Sequence, residues 1–173
     1  MSPVLKTNRR TNIFSTIIVI TAILISASIA GANGSKARRI DVSSTSTFAT
    51  TNLGTNWIDE DGIWHFRGAV AEHDITGDIQ SRATVVFNAD IDVFTGSGVL
   101  NGYAIWYDTL LNGYEISGGF EGSFEGKFNG WSYEINTVYN GYGGFKQTKL
   151  FVTITGQEPA EHHEGFIIGP RFE

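Results

Sequence analysis

The chain has 173 residues, of which 41% are hydrophobic and 17% are charged, which suits one globular domain of ordinary size but not two. It has no cysteine, which excludes disulfide bonds and a lipid anchor attached through cysteine. The formal net charge of −6 disfavours contact with phosphate backbones, so we expect no nucleic-acid partner.

The first 32 residues have the three-part pattern of a secretory signal peptide. A basic head precedes an uncharged apolar run over residues 13–30, and Ala30-Gly31-Ala32 offers small residues for cleavage. The apolar run is also at the lower length limit of a membrane span, so an uncleaved anchor helix is the alternative. We therefore predict an exported protein, secreted or held in the membrane by residues 13–30. Removing residues 1–32 takes away three basic residues and no acidic ones, which lowers the formal net charge to −9.

Two further regions follow the leader. Residues 33–56 are rich in Ser, Thr, Asn and Gly, and we predict a tether that ends in a weak first strand near Ile40 to Phe48. From Trp57 onward, apolar and polar side chains alternate in segment after segment, which is typical of half-buried β-strands. Residues 57–173 are therefore the predicted β-domain.

Turn signals separate these strand-like segments. Asn-Gly pairs, the strongest short signal for a hairpin, occur at 101–102, 112–113, 129–130 and 140–141. No segment after residue 32 has helical periodicity, so no helix is available to cover an apolar sheet face. The sequence thus predicts an all-β fold, an antiparallel up-and-down meander that closes into a β-barrel of about eight strands.

Phenylalanine and glycine alternate along one predicted strand face. Phe120, Phe124 and Phe128 share that face with glycines 118, 122 and 126. We interpret the alternation as a packing device in which large rings meet empty space on the neighbouring strand.

The same region resembles a known family. Gly-Gly-Phe-Glu-Gly at 118–122 and Asn-Gly-Tyr-Gly-Gly-Phe-Lys at 140–146 are followed by an apolar strand and Gly156. This stretch is similar to the glycine and phenylalanine signature of the allene oxide cyclase and dirigent type barrels. The resemblance implies an eight-stranded antiparallel barrel with an apolar cavity and frequent oligomerisation. No segment outside residues 118–156 matches, so the family's catalytic residues have no counterparts here.

The predicted inward faces are almost wholly aromatic and aliphatic, and they carry no nucleotide-binding loop or nucleophile elbow. We therefore expect no cofactor and favour a non-enzymatic barrel that binds a small apolar ligand or acts as a cell-surface module. The resemblance implies a rival, an isomerase or cyclase of an apolar substrate. A third reading is a structural or interaction protein with a filled core, assembled into homo-oligomers through exposed apolar faces. The predicted ligand-binding residues are Trp64, Phe66, Trp106, Phe120, Phe124 and Tyr133.

Few polar side chains are candidates for chemistry. Asp108 would be a desolvated base if it shared the inward face of Trp106, and the alternative places Trp106 and Asp108 outward together. His65 and His73 are predicted at the surface. The densest set of metal-ligand types follows Pro159 in a predicted solvated loop, and it comprises Glu161, His162, His163 and Glu164.

Two sets of acidic and amide side chains could instead contribute to a calcium site. Residues 59–61 form a predicted acidic turn, and Asn88, Asp90 and Asp92 share one strand face. Both sets lack the remaining ligands of a calcium loop.

Overall fold

A computed structural model describes residues 37–170, and the predicted signal peptide or anchor lies outside this range. The described chain contains ten β-strands and no helix. The strands are β1 (Arg38–Asn52), β2 (Thr55–Ile58), β3 (Ile63–Gly77), β4 (Ile79–Asp92), β5 (Gly98–Leu111), β6 (Tyr114–Glu115), β7 (Gly118–Asn129), β8 (Ser132–Gly143), β9 (Lys149–Gln157) and β10 (Ala160–Gly169). Over this part of the chain, no apolar helix of membrane-crossing length is found.

Eight of these strands close into an antiparallel barrel. Pairing follows chain order from β3 through β4, β5, β7, β8 and β9 to β10, and β1 then joins β10 to β3. The short β2 extends the pairing of β3 beyond the end of β1, and β6 folds back on the end of β5. The predicted all-β, antiparallel barrel of about eight strands is confirmed.

The strand β1 is longer than the sequence predicts and belongs fully to the barrel. Its first part pairs with β10 and its last part with β3, and Ser44 has Cα partners on both sides, His163 and Gly77. The inward positions of β1 include Ser44 and Ser46, both buried and hydrogen-bonded. Because hydroxyls occupy positions where apolar side chains are expected, the alternation of β1 is weak in the sequence.

Two β-bulges change which side chains face inward. In β3 the pairing with β4 shifts between Phe66 and Ala69, around Gly68 with its φ of +68°. After the shift Ala69 and Ala71 are buried, whereas Val70 between them is only half-buried. The same shift places His73 inside the barrel, where it is 8% exposed, so its predicted surface position is wrong.

The second bulge lies in β5 and decides the position of Asp108. Pairing with β4 shifts between Gln80 and Arg82, and Asp108 has a φ of +54°. Trp106 and Thr109 are both buried, whereas Asp108 between them is exposed. Neither predicted arrangement is correct, since Trp106 faces inward and Asp108 outward. Asp108 is therefore not a buried base.

Only the Asn-Gly pair at 112–113 lies wholly in a turn. At 129–130, Asn129 ends β7 and the turn comprises Gly130 and Trp131, both with positive φ. Residues 101–102 lie within β5 and 140–141 within β8. Gly102 faces Phe124 across the sheet, and a Cβ at Gly102 would lie 2.7 Å from the Phe124 ring. Glycine here admits a ring from the next strand, as the alternation of phenylalanine and glycine predicts.

The barrel interior is packed at one end and hollow at the other. Phe120 is fully buried at the packed end, and its ring centroid lies 4.7 Å from that of Phe145. Buried aliphatic side chains from β4, β5, β9 and β10 fill the space around these rings, namely Ile79, Leu111, Leu150 and Ile167.

Candidate functional site

The hollow end of the barrel holds a cavity of about 620 Å³. This volume is within the range of small-molecule sites, about 300–1,000 Å³. Five of the six predicted ligand-binding residues line it, and Phe120 does not, because it lies in the packed end. The lining is mainly apolar and includes Phe48, Trp64, Phe66, Ala71, Ile75, Ala83, Val85, Phe87, Ile91, Leu100, Ala104, Trp106, Phe124, Phe128, Tyr133, Ile135, Tyr139 and Ile154.

Connecting segments contribute the outer part of this lining. Leu53 follows β1, Trp131 lies in the turn between β7 and β8, and Glu158 lies in the turn between β9 and β10. Trp131 is 43% exposed and Leu53 is 49% exposed. The mouth of the cavity is therefore formed by turns and bordered by apolar side chains, whereas strands form its walls.

A polar cluster inside the barrel is centred on Glu161 of β10. Its Oε2 accepts a hydrogen bond from Ser46 Oγ at 2.7 Å and lies 2.9 Å from His163 Nε2 and 3.1 Å from His73 Nδ1. The Tyr133 hydroxyl donates to Glu161 Oε1. Four strands, β1, β3, β8 and β10, thus bring their side chains to one carboxylate, and Glu161, His73 and His163 all line the cavity.

The surroundings of Glu161 favour its charged form. Burial raises the pKa of Glu161, but the hydrogen bonds from His163 and His73 outweigh burial and hold this pKa well below its usual range. Burial and the Glu161 charge raise the pKa of Tyr133 far above its usual range. At neutral pH, Glu161 is therefore a carboxylate and Tyr133 a protonated donor.

One nitrogen of the cluster has no partner. His163 Nδ1 is buried, and among the described residues it has no hydrogen-bond partner. The imidazole packs beside Trp106, with ring centroids 5.4 Å apart, so His163 joins the polar cluster to the aromatic wall.

The four candidate metal ligands of β10 do not converge. They lie on a strand rather than in the predicted solvated loop, so successive side chains point to opposite faces. Glu161 and His163 are buried, whereas His162 and Glu164 are exposed and 3.3 Å apart. Over residues 37–170, no three or more such side chains are placed to hold a metal ion.

A second polar cluster lies on the outer surface, where carboxylates from the two acidic segments considered for calcium meet His65. The His65 ring nitrogens lie 3.0 Å from Asp59 Oδ2 and 2.6 Å from Asp90 Oδ1. The hydrogen bonds to Asp59 and then Asp90 raise the pKa of His65. Trp57 of β2 stacks on the imidazole at 4.7 Å, and Arg67 pairs with Asp90. The carboxylates thus connect neighbouring strands through His65 and Arg67.

The inner cluster could have been found in the sequence only by treating residues 160–169 as a strand. Glu161, His163 and Ile167 then share one face with strand spacing, and that face is the buried one. Ser46 and His73 give a weaker signal, since one lies in a Ser/Thr-rich segment and the other follows a bulge.

Fold and cavity together define the class of this molecule, an eight-stranded up-and-down β-barrel that encloses a largely apolar cavity with one polar cluster. Neither a protein-family model nor a curated protein matches the chain. A functional proposal therefore depends on the cavity and its chemistry.

Proposed function

We propose that this barrel binds a small, mainly apolar molecule in its cavity and carries out no reaction on it. The observation that carries the proposal is the aromatic and aliphatic cavity of about 620 Å³ with one convergent polar cluster. A barrel of this strand number has room for its own side chains or for one small ligand. Here an open volume remains beside the packed end, which argues against the filled core considered above.

The chemistry of the cluster favours binding over catalysis. A general base works best when its pKa is near the working pH, whereas the pKa of Glu161 is far below it. The Tyr133 phenol holds its proton firmly, because its pKa lies far above the usual range. This argues against an isomerase or cyclase that works by proton transfer at the cluster.

Binding of a neutral apolar dye tests this proposal. N-phenyl-1-naphthylamine becomes fluorescent in apolar sites, and we expect the purified protein to bind it with a saturable signal. Ala104 lines the cavity, so Ala104→Phe should fill it and weaken dye binding by ~10-fold or more, which equals about 1.4 kcal/mol. Ile105→Phe is the matched control, because Ile105 is exposed on the outer face of the same strand.

A second cavity-filling variant keeps the test valid if Ala104→Phe does not fold. Ala71 lies on β3 and also lines the cavity, so Ala71→Phe should weaken dye binding as Ala104→Phe does. Circular dichroism reports whether each variant is folded. No dye binding by the native protein, or unchanged binding in both folded variants, would refute the proposal.

We also propose that the barrel acts outside the cytoplasm, released or membrane-tethered. The support is the basic head, the apolar run of residues 13–30 and the small residues up to Ala32. Intact-mass measurement of the exported protein tests this, since cleavage after Ala32 predicts a chain that begins at Asn33. A full-length chain in the membrane fraction would instead support the anchor, and a full-length chain in the cytosol would refute export.

Association of several copies is a separate proposal. Val86, Tyr103 and Ile105 form an outer apolar patch, and in the register Val86 lies opposite Tyr103. Each of these side chains is at least 39% exposed. Light scattering of the purified protein would give the mass directly, and a strictly monomeric mass would exclude assembly.

A further inference from the structure

We infer that the cavity selects neutral amphiphiles whose head group donates a hydrogen bond, such as primary alcohols, and discriminates against carboxylates such as fatty acids. This inference rests on the proposed binding function and specifies its ligand class. Three features of the cavity support it: the charges of its lining, the acceptor capacity of Glu161 and the existing contacts of the two histidines.

The first feature is the charge of the lining. Among the described residues 37–170, no lysine or arginine lines the cavity, whereas Glu158 and Glu161 both line it. An ionised carboxylate that entered would lose hydration and meet no permanently charged cation. Like charges at close range disfavour each other, so a second anion near Glu161 carries a further cost.

The second feature is the acceptor capacity of Glu161. Its Oε2 already has three polar neighbours, Ser46, His73 and His163. Within the part of the chain that the structure describes, its Oε1 accepts only from the Tyr133 hydroxyl. A carboxylate oxygen has two lone pairs, so Oε1 has one acceptor position left for a ligand hydroxyl or amide N–H. A head group that only accepts hydrogen bonds would gain nothing at this position.

The third feature is the orientation of the histidines, which are the lining groups that could attract an anion. His73 Nδ1 and His163 Nε2 both contact Glu161 Oε2, at 3.1 and 2.9 Å. The other nitrogen of His163 is closed off from solvent. His73 stacks on Phe48 at 4.9 Å, which covers one face of its ring. His73 Nδ1 and His163 Nε2 are therefore taken by the resident carboxylate, and a second carboxylate would have to displace Glu161 from them.

Displacement of N-phenyl-1-naphthylamine by ligands of equal chain length tests the inference. At pH 7.5 we expect decan-1-ol to displace the dye at a concentration ~10-fold or more below that of decanoate. An alcohol enters any apolar cavity more readily than an ionised acid, so this ratio must be compared with that of Glu161→Gln. In that variant we expect the ratio to shrink several-fold, mainly because decanoate binds better. Glu125→Gln on the outer face is the control and should leave the ratio unchanged.

A second comparison needs no variant and remains decisive if Glu161→Gln does not fold. Decyl methyl ether has the same chain and oxygen as decan-1-ol but no O–H donor. We expect the alcohol to bind several-fold more tightly, although the ether is the more apolar molecule. Decanoate binding as tightly as decanol, or the ether matching the alcohol, would overturn the inference while dye binding upheld the proposed function. Failure of the native protein to bind the dye would instead refute the proposed function itself.

Discussion

His73 and Glu161 are 88 residues apart in the chain, yet His73 Nδ1 lies 3.1 Å from Glu161 Oε2 inside the barrel. The contact requires the bulge at Gly68, which turns His73 inward, and the closure of the barrel by β1, which lies between β3 and β10. Ser46 of β1 donates to the same oxygen. The polar cluster therefore spans the seam where the barrel closes.

This cluster should make the fold sensitive to acid. The pKa of Glu161 is lower in the folded than in the unfolded chain, so its ionisation stabilises the fold above pH 4.5, its ordinary value. That contribution is lost as the pH falls further, at a limiting slope of about 1.4 kcal/mol per pH unit. The free energy of unfolding, measured in urea at pH 5, 4 and 3, should thus fall more steeply in the native protein than in Glu161→Gln. Glu125→Gln should follow the native slope, and equal slopes for all three proteins would contradict the prediction.

The strand pattern is the part of this fold that the sequence predicts well. In β4, β8 and β9, alternate apolar side chains face inward as expected, because these strands have no bulge and their inner faces are apolar. Antiparallel pairing follows from short connections, and closure follows because residues 37–170 contain no helix that could cover the sheet. The barrel thus depends on an alternation of apolar and polar side chains that most of its strands repeat.

The cluster depends on irregularities that the sequence does not reveal. A bulge moves all subsequent side chains of its strand to the opposite face, which is why His73 was predicted at the surface and why Asp108 does not share the face of Trp106. Ser46 occupies an inward position where the pattern predicts an apolar side chain. It is hydrogen-bonded there to Glu161, which comes from a distant part of the chain. Such pairs become visible only once the register between strands is known.

Glycines within strands should differ in how strongly an alanine substitution destabilises the protein. A Cβ on Gly102 would lie 2.3 Å from Val86 O, whereas the nearest atom to a Cβ on Gly122 is Tyr139 Cδ1 at 3.1 Å. Gly102→Ala should therefore destabilise the protein by about 1–3 kcal/mol, the range for overpacked sites. Gly122→Ala, also in a strand, should cost less. Urea unfolding of both variants checks the order, and an equal cost would show that these contacts do not determine it.

Asp108 should respond to substitution through its backbone and not through ligand binding. Its φ of +54° is in the left-handed region, which costs a β-branched residue about 1–2 kcal/mol. Asp108→Val should therefore destabilise the barrel by that amount, whereas Asp108→Gly should remain within about 1 kcal/mol of the native protein. Glu125→Val is the control, because valine suits a regular exposed strand position. Loss of dye binding in a folded Asp108→Gly variant would contradict the outward position of this side chain.

The outer cluster around His65 should stabilise the fold most at low pH, which is the opposite of the pH dependence expected for Glu161. The hydrogen bonds that His65 donates to Asp59 and Asp90 raise its pKa above 6.5, so the stabilisation is complete below pH 6.5 and is lost as the pH rises through the folded value. An NMR titration of the His65 ring protons should show this raised pKa directly. Asp59→Asn should lower it, because the Asp59 hydrogen bond is the largest cause of the shift. Asp92→Asn is the control, since the Asp92 carboxylate accepts from the backbone N–H groups of Phe94 and Thr95. A His65 pKa at or below 6.5 in the native protein would mean that this pair of carboxylates does not hold the charged imidazole.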